Sequence, residues 1–159
     1  MGILVLVISA VAIAVDQVLK NIVVQNLKPN GNINAIPGFL RFIYVENRGA
    51  AFGIFQNQQW FFIIVTAVIC VLIILALFFY THHEFFSYAA SALIVGGGIG
   101  NLIDRVRAGF VVDYISVSFF PPVFNFADCC VTVGTVFLII HMLFFYERDG
   151  DVERVIRSR

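Results

Sequence analysis

The chain has 159 residues, is 60% hydrophobic and 13% charged, and carries no formal net charge. That balance excludes an ordinary soluble domain and points to the membrane class. With no block of basic residues, the electrostatic footprint of a nucleic-acid partner is missing, and that class is excluded too.

A membrane-spanning helix needs about 20 mostly apolar residues. Residues 3–24 form the first such segment, interrupted by Asp16 and Lys20. No Lys or Arg precedes Lys20, so the charged start of a secretory signal is lacking and an uncleaved span is expected. Residues 25–58 are longer than a helix connection needs. They hold the turn-rich stretches "KPNGN" and "ENRG" around "FLRFIYV", which is rich in β-formers, so a small β region over about 28–57, lying on the membrane surface, is predicted. Residues 59–80 form a second span without a charge. The turn "THHE" (81–84) leads to a third span over 85–103. Its "GGGIG" (96–100) is followed by no Lys-Ser/Thr and is read as close helix packing through Gly96 and Gly100 rather than a phosphate loop. Residues 105–124 make a second long connection, closed by Pro121-Pro122, and a fourth span covers 126–146. Trp60, Tyr44 and Tyr114 fall where aromatic residues favour the membrane interface. The tail "ERDGDVERVIRSR" is charged and expected in solvent. The fold expected is thus all-α, with four transmembrane helices and a small surface β element, in one integral-membrane domain.

Four spans place both termini on one side. The first and third spans end, and the second and fourth begin, on the other. Asp16, Lys20, Glu46, Arg48, Asp104, Arg105, Asp113 and Asp128 all converge on that second side. Ionisable groups inside a span are costly and usually functional. Asp16 and Lys20 stand i, i+4 and can pair as a structural ion pair. Two turns share the pattern NxxD, Asn101–Asp104 and Asn125–Asp128. Either residue of the second can cap the fourth helix, yet capping explains one polar residue better than two. Asn125 can also donate a hydrogen bond that orients Asp128.

Serine catalysis needs a base beside the nucleophile. Ser116 and Ser118 have only Lys20 or an aspartate to serve, and the histidines lie towards the other side. Cys70, Cys129 and Cys130 stand in apolar runs at no metal-ligand spacing, so no metal is expected. What remains is a group of carboxylates with amides to orient them. Two carboxylates held close cannot both ionise easily, so one keeps a proton while the other activates water. That is aspartic-protease chemistry, and spacing alone leaves open which two of Asp16, Asp104, Asp113 and Asp128 form the pair. A proton- or cation-coupled transporter is the alternative, but relay sites reach the midplane from both sides and these acids lie on one. A non-enzymatic membrane scaffold is a second alternative, and it would tolerate Asp→Asn changes.

The motifs "DQVLK" (16–20), "ENRGAAFG" (46–53), "GGIGNLIDR" (97–105), "GFVVDYI" (109–115) and "FNFAD" (124–128) occur in this order. Together they resemble bacterial lipoprotein signal peptidase (signal peptidase II). The resemblance covers all four spans and both long connections. It implies four transmembrane helices with a β-cradle on the outer surface of the bacterial cytoplasmic (inner) membrane, and both termini in the cytoplasm. It implies an aspartic endopeptidase that cuts prolipoproteins just before a cysteine carrying diacylglycerol. By the same likeness Asp113 and Asp128 are the catalytic pair, and Asp16, Lys20, Asn47, Asn101, Asp104, Arg105 and Asn125 shape the site or hold substrate. No cofactor is implied. The expected partners are the lipid-modified precursors, membrane lipids and a cyclic peptide inhibitor of the globomycin type, and the protein is expected to act as a monomer. Cation counting opposes this orientation. Lys20, Lys28, Arg41, Arg48, Arg105 and Arg107 fall outside, against Arg148, Arg154, Arg157 and Arg159 inside. Lys20, Arg48 and Arg105, however, are expected to belong to the site and to answer to its chemistry.

Overall fold

A computed structural model of the chain describes residues 2–49, 55–79 and 85–145. The "THHE" turn with His82 and His83, the charged tail and the "AAFG" end of the second motif lie outside the described residues. The elements run α1 (Gly2–Asn30), β1 (Ile33–Ile36), β2 (Leu40–Asn47), α2 (Gln59–Phe79), α3 (Phe85–Ala108), β3 (Val111–Val117), β4 (Phe120–Phe124) and α4 (Phe126–Phe144). All four helices are long and apolar enough to cross a membrane. Their bare outer faces fit that solvent, since Leu72, Phe78, Ile64 and Met142 would be costly in water.

The buried residues of α1 are Val5, Ser9, Ala12, Asp16, Lys20, Val23 and Leu27. Their steps of three and four trace a single helix face. That face explains why α1 outruns the predicted end at residue 24. Val23 and Leu27 pack against Val112 and Tyr114 of β3, so the helix continues beyond the apolar stretch as a support for the sheet. It stops where Gly31 turns left-handed, at φ 86°, and donates its N–H to the Leu27 carbonyl at 2.9 Å. Gly109, at φ 80°, ends α3 in the same way through the Arg105 carbonyl.

Four strands form one antiparallel sheet in the order β1-β2-β3-β4. The first two lie in the predicted β region. The β3–β4 hairpin lies in what the sequence marked only as a second long connection, and Pro121-Pro122 sit inside β4 rather than closing that connection. Prolines argue against a central strand, but β4 is an edge and needs no second ladder. In the central pair, Val45 faces Asp113 and Asn47 faces Val111, with a register irregularity between Phe42 and Val45. Asn47 is therefore diagonal to Asp113 on one sheet face.

The glycines of α3 bring the helices together. A Cβ on Gly96 would meet Ala12 at 2.9 Å, and one on Gly100 would meet the Asp16 carboxylate at 2.7 Å. A Cβ on Gly97 would meet the Ala127 carbonyl of α4 more closely still. The first two confirm the packing expected of "GGGIG". The third shows that α3 also seats the first turn of α4.

Candidate active site

The first turn of α4 is where the polar residues meet. A helix start leaves backbone N–H groups without partners, and here each is met by a different element. Phe126 N–H donates to the Tyr114 hydroxyl at 3.2 Å. Ala127 N–H donates to Asp16 Oδ1 at 3.1 Å. Asp128 N–H donates to Asn125 Oδ1 at 2.9 Å, while Asp128 Oδ2 accepts from the Asn125 backbone N–H at 3.1 Å. Asn125 and Asp128 thus form a reciprocal capping box, so both polar residues of the second NxxD turn have a capping role.

Lys20 organises the acids of the neighbouring helices. Its ammonium, buried with 3% exposure, donates to Asp16 Oδ2 at 2.8 Å, Asp104 Oδ2 at 2.9 Å and Asn101 Oδ1 at 2.8 Å. An ammonium has three donors, and these three acceptors match them. Asp104 also accepts from Gln17 Nε2 at 3.0 Å and from Val112 N–H at 3.2 Å. The i, i+4 pair expected from the sequence is therefore one side of an Asp16–Lys20–Asp104 cluster.

Asp113 and Asp128 are held differently, by neutral amides. Asp113 Oδ1 accepts from Asn125 Nδ2 at 2.6 Å, and its Oδ2 accepts from Asn47 Nδ2 at 2.8 Å. Asp128 Oδ1 accepts from Asn101 Nδ2 at 2.8 Å. Asn125 therefore serves both aspartates: its backbone N–H donates to Asp128, as the spacing suggested, and its side-chain amide donates to Asp113, which strand β3 brings to the capping turn. Asn125 Nδ2 also lies 3.2 Å from Asn101 Oδ1, which links the two amide supports. Burial, and then the charge of Asp128, push the Asp113 carboxyl up to about 7, against the opposing pull of the Asn47 and Asn125 hydrogen bonds.

Both carboxylates line a cleft of about 390 Å³. Asn47, Asn101 and Arg105 complete its polar part, and Phe62, Ile69, Ile94 and Val131 extend an apolar wall between α2, α3 and α4. The Arg105 guanidinium lies over the Phe62 ring at 4.9 Å and donates to the Gly49 carbonyl at 3.4 Å. Asp16, Lys20 and Asp104 do not line the cleft.

Other expectations fare differently. Glu46 and Arg48 converge on the right end of the molecule but pair with each other and with Lys28 on an exposed edge, outside the cleft. Ser116 is buried and does not line the cleft, and Lys20 is fully engaged, so a Ser–Lys dyad has no geometric basis. Tyr114 is not an interface anchor. It is 5% exposed, beneath the sheet, whereas Trp60 at the start of α2 is 70% exposed. Gln17 and the Tyr114 hydroxyl escaped the sequence reading. Gln17 stands next to Asp16 in "DQVLK", and its role could have been sought there; nothing in the spacing marks Tyr114.

Comparison with known proteins matches residues 8–144 to the family model described as signal peptidase (SPase) II. A lipoprotein signal peptidase of Clostridioides difficile is 46% identical over 86% of this chain and 93% of its own. That of Symbiobacterium thermophilum is 39% identical over 91% and 97%. A solved bacterial membrane enzyme superposes with a TM-score of 0.81 at 34% identity, covering 87% of each chain. With four helices long and apolar enough to cross a membrane, two amide-held aspartates on a cleft and a match over nearly its whole described length, this chain belongs to the signal peptidase II family of membrane peptidases.

Proposed function

We propose that the protein is an aspartic endopeptidase that removes the signal peptide of diacylglyceryl-modified prolipoproteins, cutting just before the lipidated cysteine. One observation carries this reading. Of four clustered aspartates, two are ion-paired with Lys20, while Asp113 and Asp128 face the cleft with only amides on their oxygens. Two carboxyls so placed share a proton. Asp113, with its raised affinity for protons, holds it and polarises the scissile carbonyl. Asp128, ionised, takes a proton from the attacking water. Asn47, Asn101 and Asn125 fix the two carboxyls, while Asp16, Lys20 and Asp104 support the helix ends beneath them. Arg105 meets the peptide at the cleft mouth.

The remaining features suit a lipid-bearing substrate. The apolar wall between α2, α3 and α4 opens from the dyad into the bilayer, where acyl chains of the substrate already lie. Both termini then face the cytoplasm, and the sheet and cleft lie at the outer face of the bacterial inner membrane. A globomycin-type cyclic peptide would block turnover by filling the same cleft. Purified protein mixed with a lipid-modified precursor should release a signal peptide and leave the modified cysteine as the new N-terminus. Each buried methylene is worth about 0.8 kcal/mol, so the unmodified precursor should be cut far more slowly. Equal rates would remove lipid recognition from this reading.

A further inference from the structure

Asp113 and Asp128 come from different elements, a strand and a helix, so their separation depends on what ties β3 to α4. Asp113 itself reaches the Asn125 amide, and Asn125 caps the helix. The next residue in β3 makes a second tie. Neighbouring strand residues point to opposite sheet faces, and Tyr114 accordingly packs with Val23, Leu27 and Val112 away from the cleft. Its hydroxyl nevertheless reaches the start of α4 and accepts the Phe126 N–H at 3.2 Å. The dipeptide Asp113-Tyr114 therefore grips residues 125 and 126 from both faces of one strand.

We propose that Tyr114 is a positioning residue for the peptidase reaction, its hydroxyl fixing the first turn of α4, and with it Asp128, against the strand that bears Asp113. The hydroxyl touches neither carboxylate and takes no part in proton transfer. Its role is to keep the dyad at one separation. A phenylalanine in its place keeps the ring and its packing and leaves the part-buried Phe126 N–H without its acceptor. Of the three backbone N–H groups at residues 126–128, only those met by Asp16 and Asn125 then keep an acceptor.

This inference rests on the Asp113–Asp128 reading, and its test is chosen to fail separately. Full-length Tyr114→Phe, in detergent or nanodiscs, is assayed on the lipid-modified precursor across pH. The expected result is a drop in kcat of roughly 3- to 10-fold, the range of one neutral hydrogen bond, with KM within about twofold. The alkaline limb of the rate profile should also move to lower pH. That limb reports Asp113, which is held up by burial and by Asp128, and a looser turn weakens both. A purely structural role would lower the amount of folded protein and leave the limb in place. Should the phenylalanine variant yield too little folded protein, Phe126→Pro removes the same hydrogen bond from the donor side at a first helical position, where proline is tolerated, and it is expected to show the same drop in kcat and shift of the limb relative to Phe126→Ala, which keeps the N–H. Wild-type kcat, or a lowered kcat with an unmoved limb, would overturn the proposal while leaving the dyad untouched. Activity retained in Asp113→Asn would instead overturn the dyad.

Discussion

Lys20 donates to Asp16, Asp104 and Asn101, and this determines what the nearest carboxylates can do. A buried charge stripped of its partner is strongly destabilising, by about 3–5 kcal/mol. Lys20→Met should therefore lower the thermal midpoint of the purified protein sharply, and it should do so before any question of catalysis arises. Asp113 has no such cation at hydrogen-bond distance among the described residues, and its carboxyl titrates near 7. A folded-state value raised above the unfolded one means that the native protein holds a proton the unfolded chain has already lost. Its contribution to stability is present in acid and disappears as pH rises through about 7. Catalysis should follow the same sign. If Asp113 carries the shared proton, the cleavage rate of the lipid-modified precursor should fall as pH rises past about 7. A rate still climbing well above that pH would place the proton elsewhere.

At the scale of elements, α3 is the piece on which the others are seated. Gly97 lies against the Ala127 carbonyl and within reach of Cys130, in the same helical turn as Asp128. Gly97→Ala must push α4 away or distort it, and overpacking of this kind costs about 1–3 kcal/mol. We expect a lowered thermal midpoint together with a loss of cleavage larger than the loss of folded protein, because the displaced turn carries Asp128 of the proposed dyad. The elements also show where the sequence was legible. The four spans were, because hydropathy over about 20 residues is a strong signal. The β1–β2 hairpin was, through "FLRFIYV" between two turns. The β3–β4 hairpin was not: the adjacent prolines masked an edge strand, and the pairing of β3 with β2 joins segments more than 60 residues apart. At the site, spacing identified the four aspartates and two of the three asparagine supports, Asn101 and Asn125; Asn47 came only with the family resemblance. It could not separate the aspartates into an ion-paired couple and an amide-held couple. That separation depends on where the Lys20 ammonium ends, a matter of packing between α1 and α3. For the same reason the second bond of Asn125, from its side-chain amide to Asp113, was not legible.

For the whole molecule, the distribution of polarity is the main constraint. The two aspartate couples, Lys20 and Arg105 gather at the end that carries the sheet. The start of α1 has only small polar groups such as Ser9, whose hydroxyl donates to the Val5 and Ala92 carbonyls at 2.9 and 3.0 Å. An enzyme that meets its substrate at one membrane face has this asymmetry. A tag placed after Arg159 and one between residues 80 and 85 should both report the cytoplasm, and a tag at residues 30–32 should report the outside. Labelling of the C-terminal and 30–32 tags from the same side would contradict the four-span arrangement.

The central claim is that Asp113 and Asp128 act as a unit on a lipid-modified precursor, and cleavage by folded Asp→Asn variants tests it most directly. Asn preserves the shape of Asp but cannot serve as acid or base, and such roles are worth about 10²–10⁴ in rate. Asp113→Asn and Asp128→Asn should each nearly abolish release of the signal peptide. The double variant should be little worse than either, since residues acting together are not additive. Asp104→Asn, which alters the partner of Lys20 outside the cleft, should reduce stability yet leave measurable turnover in the folded fraction. Near-normal cleavage by folded Asp113→Asn, with folded Asp104→Asn inactive, would contradict the account and make Asp104 the partner of Asp128.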